Sequence, residues 1–164
     1  FQEALVFDEV LGLPAHPLLV HAAVVFVPLF VAAAVVYVLV PFTRRWITWA
    51  VVGLAVVTPF AAWFTTLSGN TFRNKLISQG LAQEVLVKID EHRSFGDRTL
   101  WAVLALAVVT VAVVLVQQFW AAGTGPGKLV VTIVLSVVVL ALSGVSLYYV
   151  FKTGDSGSRI VWGS

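Results

Sequence analysis

The stretch Leu18–Val40, LLVHAAVVFVPLFVAAAVVYVLV, decides the fold. It contains no Asp, Glu, Lys or Arg, and it matches the roughly 20 apolar residues needed to cross a bilayer as a helix. A helix at the surface of a soluble domain carries a polar stripe, whereas this one offers only His21, about one turn from its start. The run lacks a basic start and ends in Pro41 and Arg44-Arg45 instead of small residues, so it is read as a retained span and not a secretory signal. Three more runs free of charge follow: Trp46–Leu67, Leu100–Gln117 and Leu129–Val150.

Composition agrees. Of the 164 residues, 60% are hydrophobic and 11% charged, and the mean hydropathy is +0.99, far from the mixture of a water-soluble domain. The predicted fold is all-α: a single membrane domain over residues 1–164, with four transmembrane helices in an up-down-up-down bundle. The net charge of +2 and the lack of a dense basic patch exclude a nucleic-acid partner. The absence of cysteine excludes disulfides, thiolate metal sites and thioether-linked haem. Methionine is also absent, so the chain is expected to lack its initiator residue or a short leader.

Two of the links are short: Pro41–Arg45, and Gln118–Lys128 with the breaker run Gly123-Thr-Gly-Pro-Gly127. They hold Arg44, Arg45 and Lys128 and no acid, while Glu3, Asp8 and Glu9 precede the first helix. On the positive-inside rule, both termini are expected to lie outside the cytoplasm. Trp46, Trp49, Trp63, Trp101, Trp120, Tyr148 and Tyr149 fall near helix ends, as interfacial anchors do.

The long link, Ser68–Thr99, is patterned. Phe72, Leu76, Ile77, Leu81, Val85 and Ile89 recur at near-helical spacing, opposite Arg73, Lys75, Gln79, Gln83 and Lys88. An amphipathic helix is predicted over about residues 71–92, either lying in the interface or extending helix two out of the membrane, with Gly80 as its weak point. Ser94-Phe-Gly-Asp97 has the form of a capping box and predicts the start of helix three.

The spans hold no carboxylate or amine, which excludes the midplane relay of most pumps and transporters. The polar groups that remain, His16, His21, His92 and Asp155, all fall on one membrane face by connectivity. Imidazole suits iron, copper and zinc, so His21 and His92 are candidate haem ligands. His16 or Asp155 would support them, with Trp101 and Phe95 walling an apolar pocket. A metal held by His16, His21 and His92 is the other form of such a site. The competing reading makes His21 an interfacial histidine satisfied by a neighbouring helix and His92 a solvated one. Gly154-Asp-Ser-Gly157 imitates a serine-protease nucleophile segment, but the chain has no room for that scaffold, and a Gly-rich turn ending helix four is expected instead. Ser136, Ser143, Gly144 and Ser146 predict close packing of helix four.

Together, His16-Pro-Leu-Leu-Val-His21, Ser68-Gly69, Glu91-His92, Thr153-Gly-Asp-Ser-Gly157 and Val161-Trp162 resemble a bacterial family of four-helix membrane proteins that carries only a domain-of-unknown-function label. The resemblance covers nearly the whole chain and implies an integral membrane domain, joined in some bacteria to a Rieske iron-sulfur domain. That hints at respiratory or redox work, which in this chain would need a haem, a quinone or a partner subunit. The expected function is a non-catalytic accessory subunit of a larger membrane complex, with electron-transport subunits as partners. A haem-binding electron-transfer protein and an outer-face metal-binding protein are the alternatives.

Overall fold

The computed structural model describes residues 9–10, 13–120 and 126–163. Glu3 and Asp8 of the acidic lead, and residues 121–125 of the glycine-rich link, lie outside them. A two-residue antiparallel ladder, Glu9–Val10 (β1) with Leu13–Pro14 (β2), precedes the helices. These are α1 (Ala15–Leu39), α2 (Arg44–Ser78), α3 (Gln83–Phe119) and α4 (Pro126–Trp162), and each is long and apolar enough to cross a membrane. Each packs against its chain neighbour, and α1 closes the ring on α4.

Local chemistry sets the turns. Pro41 has no N–H to continue α1 and restricts Val40 before it. Arg44 then caps the freed carbonyls, its guanidinium donating to Tyr37 O at 2.8 Å and Val38 O at 3.2 Å and lying over the Tyr37 ring. At the other end, α2 stops where Gly80 takes a positive φ of 78°. The Leu81 N–H bonds back to Leu76 O and the Gly80 N–H to Ile77 O, satisfying the last carbonyls of α2 as a left-handed cap does.

Three elements are longer than hydropathy predicts. Of the two forms expected for the patterned link, the extension of helix two is found as far as Ser78. The link splits at Gly80 into the outer ends of α2 and α3, a helical hairpin clasped by the Arg73–Asp90 ion pair, whose Nη2–Oδ2 contact is 2.9 Å. Ser94 does not cap a helix, because α3 already runs from Gln83 and the Ser94 hydroxyl donates to Glu91 O within it. Nor does Gly154-Asp-Ser-Gly157 end α4, which continues to Trp162. Apolarity marks where lipid ends, and helical hydrogen bonding has no reason to stop there. With 35 to 37 residues each, α2, α3 and α4 reach about 50 Å, well beyond a hydrocarbon core of about 30 Å.

The two halves of the bundle repeat one another. Buried positions of α1 recur in α3 at one constant offset: Ala23 with Thr99, Val27 with Val103, Phe30 with Leu106, Val31 with Ala107, Ala34 with Thr110, Tyr37 with Val113 and Val38 with Val114. In the same way Val51, Ala55, Thr58 and Ala62 of α2 answer to Val139, Ser143, Ser146 and Val150 of α4, all buried. The helix pairs α1–α2 and α3–α4 are therefore parallel repeats about an axis along the membrane normal. Bulk is exchanged within pairs, as at Phe30 and Leu106, so the shared core stays filled. The small-residue set of α4 divides accordingly, with Ser143 and Ser146 facing the core and Gly144 facing outward.

The chain has no cysteine, so single replacements can test this arrangement directly. In sealed vesicles a membrane-impermeant maleimide should label Gln79→Cys and Gly163→Cys from one side and Phe42→Cys from the other. Labelling of Gln79→Cys and Gly163→Cys from opposite sides would overturn the topology.

Candidate functional site

The repeat brings two histidines to equivalent places. His16 stands in the first turn of α1, where Pro17 is tolerated because its missing N–H has no helical partner anyway. His92 is its mate on α3, at the same offset as the core pairs. Their ring centres are 6.3 Å apart with planes at 82°, across the axis between diagonal helices.

Each ring is held by the helix that follows it in its own half. His16 Nδ1 lies 3.2 Å from Thr65 O and 3.1 Å from Ser68 Oγ, while the Ser68 hydroxyl donates to Thr65 O at 2.9 Å. A carbonyl only accepts, so Nδ1 carries the hydrogen. His92 Nδ1 lies 3.0 Å from Ser156 Oγ, whose single hydrogen goes to Thr153 O at 3.1 Å. The proton again sits on Nδ1. In both neutral imidazoles Nε2 therefore keeps its lone pair, and among the described residues neither Nε2 has a hydrogen-bond partner.

Two glycines make the approach possible. A Cβ at Gly69 would stand 3.0 Å from His16 Cε1, and one at Gly157 would stand 2.9 Å from His92 Cε1. Both distances are too short for an ordinary contact, so each ring brings its Cε1 edge against bare backbone of the opposing helix. The unit Thr-x-x-Ser-Gly, Thr65–Gly69 in α2 and Thr153–Gly157 in α4, is thus a cradle for one imidazole, built twice.

Between the cradles lies a cavity of about 350 Å³ with a mainly apolar wall. The repeat runs through its lining too, in the pairs Val20 with Gly96, Ala62 with Val150 and Phe72 with Ile160. Among the described residues no acidic side chain lines it.

The other residues singled out from the sequence stand apart from this pair. His21 reaches the cavity margin but is exposed, with Nδ1 bonded to the Pro17 carbonyl of its own helix. Asp155 lies outside the cavity, in a polar groove between α3 and α4, where it accepts from Arg159 Nε at 3.0 Å. Trp101 is exposed and Phe95 lies under Arg98, and neither walls the cavity. Among the described residues no group of three His, Cys, Asp or Glu could hold a metal ion. His16 and His92 converge, and His21 does not join them as a third ligand.

Sequence reading passed over Thr65, Ser68, Thr153 and Ser156 as imidazole anchors, and over Gly69 and Gly157 as the surfaces that admit the rings. The signal was present in Thr-x-x-Ser-Gly at matching ends of two helices. It becomes legible once the halves are aligned on their buried positions.

The cradles predict a contrast between neighbouring glycines. Gly157→Ala pushes against His92 and should destabilise the protein by about 1–3 kcal/mol. Gly154→Ala, with nothing within 4 Å of its added carbon, should be neutral or stabilising by up to about 1 kcal/mol. Thermal unfolding in detergent checks both, and equal effects would remove the steric argument.

No curated protein and no solved structure matches the chain. A family model does, over residues 12–164, a stretch that includes all four helices and both cradles. The chain belongs to the family described as Predicted membrane protein (DUF2231).

Proposed function

We propose that this multi-pass membrane protein binds one haem between α1 and α3, with His16 and His92 as axial ligands, and serves as a one-electron carrier. The observation that carries the reading is the close pair of imidazoles, each fixed through Nδ1 and each with an Nε2 that has no hydrogen-bond partner among the described residues. A metal–imidazole bond is about 2.0 Å, and with about 1.1 Å from nitrogen to ring centre on each side, two trans imidazoles stand about 6 Å apart. The observed 6.3 Å agrees.

The size of the ligand set favours a haem over zinc or a harder ion. Two histidines cannot complete the four-coordinate shell of zinc or the larger shells of harder ions. They suit an iron that brings four equatorial nitrogens of its own, and the apolar wall suits the macrocycle that carries them. An Nδ1–H donated to a hydroxyl or carbonyl is the outer bond that fixes a ligating histidine and raises its basicity. When bound, the haem iron would cycle between two oxidation states. The protein's own residues orient both imidazoles and keep water from the ring faces. This pair replaces His21 and His92 as the favoured ligands, because His21 bonds to its own helix.

A non-catalytic accessory subunit has less support, since it gives no role to two cradled imidazoles with free lone pairs. A carrier of this kind would exchange electrons with partner subunits of a respiratory complex. In a bacterial cell membrane with both termini outside, the site lies toward the outer face, and Arg44, Arg45 and Lys128 at the opposite end of the helices support that orientation.

The test is the absorption spectrum of the full chain in mild detergent, loaded with haem and reduced with dithionite. A Soret band with sharp α and β bands is expected. His16→Ala and His92→Ala should each abolish the six-coordinate form, while His21→Ala should keep it. A wild-type sample that gives no such spectrum after loading, or one lost only in the His21 variant, would refute the proposal.

A further inference from the structure

The two-fold repeat of the cavity, clear at His16 with His92, Thr65 with Thr153 and Gly69 with Gly157, does not extend to its charge. Arg73 of α2 and Arg93 of α3 both line it, yet their mates at the repeat offset are Val161 and Pro17. Both arginines belong to the α2–α3 hairpin, outside the apolar spans, so positive charge gathers on one side of a symmetric apolar site. Among the described residues no acid lines the cavity, and Asp90 beside it pairs with Arg73 alone.

The two are not equivalent. Arg73 is held by Asp90 through two contacts, with Nη2 2.9 Å from Oδ2. Arg93 makes no hydrogen bond or ion pair among the described residues and feels Asp90 only through its field. One guanidinium is thus fixed in place beside the cavity and the other is free to turn toward a ligand.

Resting on the haem reading above, we infer that Arg73 and Arg93 recognise the two carboxylates that a haem carries together on one edge. A symmetric ligand would have no use for a one-sided pair of cations. A planar apolar dianion with both charges on one edge matches the asymmetry, and its metal centre falls on the axis between the imidazoles. Guanidinium groups suit the task because they meet carboxylates with paired N–H donors. Asp90 acts as a positioning residue: it orients Arg73 and also competes for it.

The experiment titrates the full chain in detergent with ferric protoporphyrin IX and, separately, with its dimethyl ester, following the Soret band. The free diacid should bind about tenfold or more tightly than the ester at low salt, and the gap should shrink as ionic strength rises. Arg93→Gln should remove most of the gap while the six-coordinate spectrum survives. Equal affinity for diacid and ester in the wild-type chain would overturn the inference and leave the histidine ligation standing. Failure of both to give a six-coordinate spectrum would overturn the ligation and this inference with it. The ester comparison needs no substitution, so a misfolded variant cannot decide the result.

Discussion

The architecture of the site depends on one hydrogen-bond arrangement, an imidazole Nδ1–H shared with a serine hydroxyl and a threonine carbonyl of the neighbouring helix. At the end of a membrane helix an unpartnered histidine is costly, and each half of this chain meets the cost in the same way. The serine passes its own hydrogen to the carbonyl three residues before it, so its oxygen is left to accept from the ring. The adjacent glycine lets the ring reach that oxygen without meeting a side chain. Remove either part and the ring has no fixed direction; keep both and its second nitrogen is left without a hydrogen-bond partner among the described residues.

Duplication multiplies the consequence. One cradled histidine is a packing detail, whereas two related by an axis along the bundle bring two imidazoles to 6.3 Å beside a shared cavity. The core repeats for the same reason, with Val27 and Val103, or Thr58 and Ser146, holding equivalent helices at equivalent depth. Since lipid competes equally for apolar surface, association rests on close packing and on hydroxyl-to-backbone bonds. The small buried residues Ala34, Ala55, Ala62 and Ala107 provide the first. Thr65, whose hydroxyl is shared between Ala61 O of its own helix at 2.7 Å and Leu19 O of α1 at 3.0 Å, contributes to the second.

Much of the fold was legible in the residues. Four charge-free runs gave the helices and their alternation, because no other segment of the chain can lie in hydrocarbon. Helix ends were not legible, since polar residues such as Gln83 to Arg98 are good enough helix formers to continue α3 into water. Gly154 and Gly157 suggested a stop for α4, but close approach of His92 explains Gly157 better than a turn does. The site was half legible. The three histidines were recognised and placed on one face, yet His21 drew attention by its depth, while His16, at the membrane edge, proved to be the mate of His92. Depth in a single helix is visible in one sequence; a pseudo-two-fold axis appears only when buried positions of both halves are compared.

The electron paramagnetic resonance spectrum of the oxidised, haem-loaded chain tests the central claim most directly, because it reports both axial ligands and their relative orientation. Two imidazoles with planes at 82° predict one low-spin ferric species per chain, with the strong anisotropy of near-perpendicular axial rings. A high-spin signal, or a low-spin signal of parallel rings, would contradict the account.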